Sequence, residues 1–97
     1  MLYMFNQSPL TTKKFQSLIK IASAGDPILL YEDGVISAME GTAASNEVTV
    51  ALTNHPIYAL SPDLEARGIK HVIPGIQLVD YDGFVGLVEK DNVVPWI

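Results

Sequence analysis

The sequence predicts a small α/β protein, a three-layer α/β/α sandwich in which helices cover both faces of a mostly parallel, five-stranded sheet. Two observations predict this fold. Short apolar runs alternate with helical stretches along the chain, and the runs are apolar throughout. Continuous apolar runs are typical of strands buried on both faces, and parallel strands need a crossover between them, usually a helix. We expect the 97 residues to form a single domain, 1–97.

The first part of the chain predicts a strand, a helix and a second strand. Residues 2–5 are the first apolar run, and polar residues 6–9 end it. Residues 13–24 have the pattern of an amphipathic helix that ends at Gly25. Its apolar positions recur at i, i+3, i+4 and i+7, and they are Phe15, Leu18, Ile19 and Ala22. Residues 28–31 form the second apolar run and the second predicted strand.

Two further helices are predicted between the second and third strands. Asp33 and Gly34 predict a turn, in which Asp33 caps the next helix and Gly34 supplies the tight geometry. A short helix is expected over residues 35–39. Residues 45–53 combine strand propensity with helical spacing, and we favour a helix because a strand–helix–strand order needs a crossover there.

The second half of the chain predicts three more strands, with two helices between them. Residues 57–60 and 76–79 are apolar runs, and residues 93–97 fit an edge strand because Pro95 lacks a backbone N–H. Ser61 is expected to cap the helix that ends at Arg67 and Gly68. Asp80 is expected to cap the last helix.

Composition excludes several functions. The chain has no cysteine, so it cannot carry sulfur on a thiol of its own or form a cysteine zinc site. A net charge of −5 and six scattered basic residues argue against direct nucleic-acid binding. No apolar stretch approaches the roughly 20 residues of a membrane span. We expect a cytoplasmic protein without a cofactor or a metal.

Acidic residues collect where the predicted strands end. Glu32, Asp33 and Asp80 follow strands, and the carboxyl ends of parallel strands share one edge of the sheet. These carboxylates fit turns and caps, or alternatively a stand-alone carboxylate-dependent enzyme or a small-ligand-binding module of flavodoxin-like fold. No G-x-G-x-x-G or P-loop motif supports a nucleotide site. His55 and His71 are expected to be solvated loop residues.

Five segments together resemble one known family. Residues 6–9 (NQSP) resemble its opening, and residues 28–35 (ILLYEDGV) resemble its L-L-x-x-D-G-V block. Residues 58–68 (YALSPDLEARG) are similar to its Y-x-L-x-x-D-L-x-A-R-G block. Residues 79–85 (VDYDGFV) match V-D-Y-x-x-F-V, and Trp96 fits the usual ending. The family is the DsrH/TusB group of sulfur-relay proteins, and the resemblance covers essentially the whole chain.

The resemblance implies a DsrE-like fold and a non-catalytic role. Family members assemble with DsrE/TusD-like and DsrF/TusC-like subunits into a heterohexamer. The complex passes persulfide sulfur towards 2-thiolation of the tRNA wobble uridine or, in another branch, serves dissimilatory sulfur oxidation. The essential cysteine belongs to the DsrE/TusD-like subunit. A homodimer of the chain alone and in excess, formed through the surface normally given to a relative, is a further hypothesis. The family resemblance marks six motif positions as candidate site residues, and these are Asp33, Gly34, Asp63, Arg67, Asp80 and Tyr81.

Overall fold

The computed structural model describes residues 1–96, and within them it contains five strands and five helical segments. The strands are β1 (Leu2–Phe5), β2 (Ile28–Leu30), β3 (Ile57–Leu60), β4 (Gln77–Val79) and β5 (Val93–Trp96). The α-helices are α1 (Lys14–Ile21), α2 (Ser45–Ala51), α3 (Ser61–Ala66) and α4 (Tyr81–Lys90). A 3₁₀ helix (Glu32–Ala38) follows β2. Every predicted strand is present, and the ambiguous segment near residue 48 is helical, as predicted. Ile97, the last residue of the predicted fifth strand, lies outside the described residues.

The five strands form one sheet in the order β4-β3-β2-β1-β5, and every pair is parallel. The predicted α/β/α sandwich is therefore confirmed, with a sheet that is parallel throughout. β1 lies between β2 and β5, so the chain builds the sheet outward from β1 in one direction and then returns to its other side. Pro95 lies on edge strand β5, opposite Met4, as its missing N–H requires.

One face of the sheet carries the main hydrophobic core. Tyr3 and Phe5 of β1 lie beside Ile28 and Leu30 of β2, and all four are buried. Helices and the 3₁₀ segment pack against them through buried apolar side chains, which are Phe15, Leu18, Val35, Ala38, Val48, Ala51 and Leu64. The Phe5 and Phe15 rings meet edge to face, with centroids 5.6 Å apart. This face of the sheet is covered by α1, α2, α3 and the 3₁₀ helix.

Helix α4 is left to cover the opposite face. That face contains Leu2, Leu29 and Leu60, which are buried but do not belong to the main core cluster. An added Cβ at Gly83 of α4 would lie 3.1 Å from Cβ of Val79, so α4 packs closely against the end of β4. No residue of α4 is fully buried, because one helix covers a face of five strands. Its outer side therefore faces solvent.

The sheet edges depart from the sequence prediction. Continuous apolar runs predicted burial on both faces, which holds for β2 but not for β4, where Gln77 and Leu78 are exposed. On β5, Pro95 is exposed, and Trp96 is half-buried. The Trp96 indole covers the sheet, because Nε1 donates to the Lys14 carbonyl at 2.9 Å and the ring meets Tyr3 edge to face. An outermost strand has one neighbour, so its apolar side chains receive less cover.

The predicted Ser61 cap and the predicted bounds of the helix at residues 35–39 are wrong. Ser61 is the first residue of α3 and makes no capping hydrogen bond, because Leu60 occupies the N-cap position. The helix predicted over residues 35–39 is a 3₁₀ helix that begins earlier, at Glu32, and Met39 instead forms an antiparallel bridge with Val72. Asp80 caps α4 as predicted, since its Oδ1 accepts from Gly83 N at 2.8 Å. Within residues 1–96, no helix is long and apolar enough to cross a membrane.

Candidate functional site

The carboxyl edge of the sheet brings together Asp33, Asp63 and Arg67. Asp33 lies in the 3₁₀ helix after β2, and Arg67 directly follows α3. The Arg67 guanidinium donates from Nε and Nη2 to Asp33 Oδ1, at 3.1 and 2.9 Å. Its Nη1 donates to the Asp63 carbonyl at 3.2 Å. Arg67 thereby joins the segments that follow β2 and β3, and Asp33 does not cap a helix as the sequence predicted.

Asp63 fixes the backbone at the start of the 3₁₀ helix. Its Oδ2 accepts a hydrogen bond from Glu32 N at 2.6 Å. Glu32 has a φ of 48°, and within residues 1–96 it is the one residue other than glycine with a positive φ. A side chain in this left-handed conformation costs about 1–2 kcal/mol. The hydrogen bond from a charged carboxylate offsets part of that strain.

Gly34 is required by close contact between two backbone segments. A Cβ at this position would overlap the carbonyl oxygen of Phe5 and would lie 2.8 Å from the Phe5 carbonyl carbon. The same Phe5 oxygen accepts from Tyr31 N at 3.1 Å, and Tyr31 O accepts from Gly34 N at 2.8 Å. The turn after β2 is therefore pressed onto the end of β1. Gly34 does not adopt a left-handed conformation, so its role differs from the predicted tight turn.

Tyr31 stays protonated at neutral pH. Burial raises the pKa of its phenol above the usual value near 10, and the neighbouring Glu32 carboxylate raises this pKa further. The phenol can therefore donate a hydrogen bond but cannot serve as a base near pH 7. Asn6, which directly follows β1, has a buried Oδ1 with no protein hydrogen-bond donor. Neither side chain supplies a nucleophile.

Asp80 and Tyr81 are not part of this cluster. Asp80 caps α4, and the Tyr81 side chain is 59% exposed on that helix. Among the described residues, no hydrogen bond or ion pair joins either of them to Asp33, Asp63 or Arg67. The structure thus unites four of the six candidate positions, Asp33, Gly34, Asp63 and Arg67, and separates the other two.

The two histidines occupy different environments. His71 is exposed, whereas the prediction that His55 is solvated is wrong, because His55 is only 5% exposed. Its Nδ1 lies 2.9 Å from the Asp26 carbonyl oxygen, so the ring links the loops that precede β2 and β3. Between Met1 and Trp96, no three His, Asp or Glu side chains are grouped to hold a metal ion.

Two acidic side chains at the carboxyl edge, Asp33 and Asp63, have partners within the described residues. Asp33 neutralises Arg67, and Asp63 is bound to a backbone N–H. The cluster links the loop after β2 to the segment after β3.

Comparisons with known proteins extend this description. The family model described as "DsrH like protein" matches residues 7–94. This chain belongs to the DsrH family. The TusB protein of Serratia proteamaculans is 41% identical over 93 residues, which cover 93% of each chain.

Solved structures place the DsrH-family chain among proteins of the same fold. The ychN protein of E. coli superposes with a TM-score of 0.78 at 14% identity, and the match covers 97% of each chain. MTH1491 of Methanobacterium thermoautotrophicum, a protein of unknown function, gives a TM-score of 0.72 at 16% identity, covering 97% of this chain and 96% of the other. At these identities the likeness concerns the fold.

Family membership identifies a sulfur-relay protein of the TusB type and confirms the resemblance seen in the sequence. The L-L-x-x-D-G-V and Y-x-L-x-x-D-L-x-A-R-G blocks supply the residues that meet at the carboxyl edge. The two blocks are far apart in the sequence, but the segments that follow β2 and β3 contact each other in the fold. The role of the six motif positions in sulfur relay stays a prediction.

Sequence reasoning missed the features that depend on distant segments. Nothing near Glu32 in the sequence indicates a positive φ, because its cause is Asp63, thirty-one residues away. The burial of His55 likewise depends on the Asp26 carbonyl. A shallow groove between α1 and α2 also escaped notice. Only the basic character of its border had a signal, since the first 25 residues contain three lysines and no acidic residue.

Proposed function

We propose that this chain is a non-catalytic subunit of a heterohexameric sulfur-relay complex with DsrE/TusD-like and DsrF/TusC-like partners. The observation that carries the proposal is a match to the DsrH family over residues 7–94 in a chain without cysteine. Persulfide transfer needs a thiolate that attacks and then carries sulfur. That thiolate must therefore belong to another subunit.

The carboxyl edge of the sheet favours a non-catalytic role for this chain over an enzymatic one. Asp33 pairs with Arg67, Asp63 accepts from a backbone N–H, and a Tyr31 phenol with a raised pKa is a poor base. A rigid edge built in this way suits a contact surface that orients a reactive neighbour. The chain would then position the partner's cysteine without touching the sulfur covalently.

The relatives favour one branch of the relay. TusB of Serratia proteamaculans covers 93% of this chain at 41% identity. The Tus-type complex is the branch that leads to 2-thiolation of the tRNA wobble uridine. We therefore place this chain in that branch, with dissimilatory sulfur oxidation as the alternative. The complex would deliver sulfur to a tRNA-modifying enzyme, and this acidic subunit would not contact the tRNA itself.

Co-expression with TusD-like and TusC-like partners tests the proposal. Native mass spectrometry is expected to show a hexamer with two copies of each chain. Incubation with a persulfide donor should add sulfur to the TusD-like subunit alone, and replacing that subunit's cysteine by serine should abolish the addition. A chain that stays monomeric or binds only itself in the presence of both partners contradicts the subunit role.

Omitting this chain from the co-expression tests whether sulfur transfer, and not only assembly of the complex, depends on it. The partners without it should transfer sulfur more slowly to the downstream acceptor, because the reactive subunit loses its support. An unchanged rate in its absence would show that the chain is dispensable for relay, even if it binds.

A further inference from the structure

An apolar groove runs along the surface between α1 and α2. Its volume is about 470 Å³, and its apolar floor contains Phe15, Ile19 and Val50. Val50 is 66% exposed although it is aliphatic. Lys20 lines the groove on the α1 side, and Asn46 and Glu47 line it on the α2 side. Exposed apolar surface of this kind, bordered by polar groups, is typical of interaction sites.

The groove continues into a second depression of about 280 Å³ near the start of α1. Both depressions are lined by Phe15, Gln16 and Glu47. Gln16 Nε2 donates to Glu47 Oε1 at 2.8 Å, so the polar ends of these two side chains bridge the helices. Leu10 and Lys13 line the far end. The two depressions therefore adjoin at the Gln16–Glu47 bridge, and we call them together the channel along α1.

This side of the molecule is positively charged in an acidic protein. Lys13, Lys14 and Lys20 all lie on or beside α1, and the first 25 residues contain no acidic residue. All three are exposed, and within residues 1–96 none forms an ion pair. Glu47 is the acidic residue of the channel, and its Oε1 is engaged by Gln16. The channel therefore suits an apolar partner surface with unpaired carboxylates beside it.

The outer side of α4 has this character. Helical spacing of 3.6 residues per turn puts Tyr81, Asp82, Val85 and Glu89 within one stripe. All four residues are exposed, Tyr81 by 59% and Val85 by 49%. Neither Asp82 nor Glu89 belongs to an ion pair in the part of the chain that the structure describes. We call these four residues the α4 stripe.

We propose that the α1–α2 groove binds the α4 stripe of a second copy of this chain. Tyr81 and Val85 are separated by four residues, which is the spacing of anchors when a helix lies in a groove. The ten residues of α4 span about 15 Å and the eight of α1 about 12 Å, so the two helices match in length. In this arrangement the carboxylates of Asp82 and Glu89 lie beside Lys13 and Lys20 at the border of the groove.

The contact joins two different surfaces. In a pair of copies, the copy that uses its groove keeps its stripe free, and the copy that uses its stripe keeps its groove free. Contacts of this kind are heterologous, and they give rings or open chains in place of a closed pair. The inference concerns self-association and does not rest on the sulfur-relay role. Exposed ion pairs are screened by salt, so the association should weaken as ionic strength rises.

Two single charge reversals test the pairing. Lys20→Glu reverses the groove, and Glu89→Lys reverses the stripe. Sedimentation velocity over a range of concentrations should show that wild type associates and that each variant alone associates about tenfold more weakly or worse. An equimolar mixture of the two variants should regain association near the wild-type level, because the groove of each variant then meets a stripe of opposite charge on the other.

Matched reversals elsewhere on the surface provide the controls. Lys70→Glu and Glu65→Lys change exposed residues outside both surfaces and should associate as wild type does. Circular dichroism of every variant verifies folding. The proposal is overturned if wild type remains monomeric, if the controls weaken association equally, or if the mixture fails to recover. Association of Glu89→Lys at the wild-type strength overturns it too, since the groove would then bind another surface.

Discussion

Gly34 shows at the scale of one residue how a missing side chain fixes a fold. Two backbone segments meet at this position, and the space that a Cβ would need is occupied by the Phe5 carbonyl. Backbone atoms of a central strand cannot move aside without breaking the hydrogen bond from Tyr31 N to Phe5 O. The glycine is therefore required for packing and not for an unusual φ.

Gly34→Ala should destabilise the protein by about 3 kcal/mol or more, because overpacking against backbone cannot be relieved by a rotamer change. Urea unfolding followed by circular dichroism measures the loss. Gly86→Ala is the matched control, since an added Cβ there meets no atom within 4 Å. In the middle of α4, alanine should stabilise by about 0.5–1 kcal/mol. Equal effects of the two substitutions would contradict the assigned contact.

Glu32 marks the limit of prediction for single residues. The acidic turn after β2 was visible in the sequence, and so was its place at the carboxyl edge. The left-handed backbone was not, since any rule based on neighbours assigns it to glycine. The conformation follows from a hydrogen bond to Asp63 across the edge, which depends on how β2 and β3 align. Local patterns predict elements better than the contacts between them.

At the scale of elements, two of the three expected helix caps, Asp80 and Ser61, show what decides whether a cap forms. Asp80 precedes α4 with extended backbone, and its carboxylate reaches Gly83 N. Ser61 is already helical, because α3 begins directly where β3 ends. A side chain caps a helix only from a residue whose own backbone is not yet helical. The sequence presents the same signal at both places, and the length of the preceding strand decides between them.

Asp80→Ala should cost about 1 kcal/mol, as is usual for loss of an N-cap. Ser61→Ala should change the free energy of unfolding by less than about 0.5 kcal/mol, because no capping bond is lost. Thermal unfolding of the two variants and the wild type makes the comparison. A larger loss in Ser61→Ala than in Asp80→Ala would mean that the helix starts are wrongly placed.

On the scale of the whole molecule, stability is distributed unevenly across the sheet. β2 is buried completely, whereas β4 is largely exposed and α4 has no fully buried residue. Regions with few buried apolar contacts open first in native proteins. The alternation of apolar runs and helices was sufficient to predict the α/β/α sandwich, but it could not show which strands are outermost. That order depends on pairing between distant segments.

Native-state hydrogen exchange should reveal this gradient. Amides of β1, β2 and β3 should exchange only through global unfolding, and those of β4 and α4 should exchange through smaller openings. Exchange measured by NMR at increasing low concentrations of denaturant distinguishes the two classes. Protection of β4 equal to that of β2 would show that the sheet opens as one unit.

The position of β1 between β2 and β5 has a consequence for synthesis of the protein. Among the five strands, β1 leaves the ribosome before the others, and the strand that completes its second side leaves after them. A nascent chain can assemble the sheet from β1 to β4 and still expose one side of β1, which lies inside the final sheet. An open strand edge is a template for pairing with another chain. Late arrival of Val93–Trp96 therefore closes the edge at which two nascent chains would otherwise aggregate.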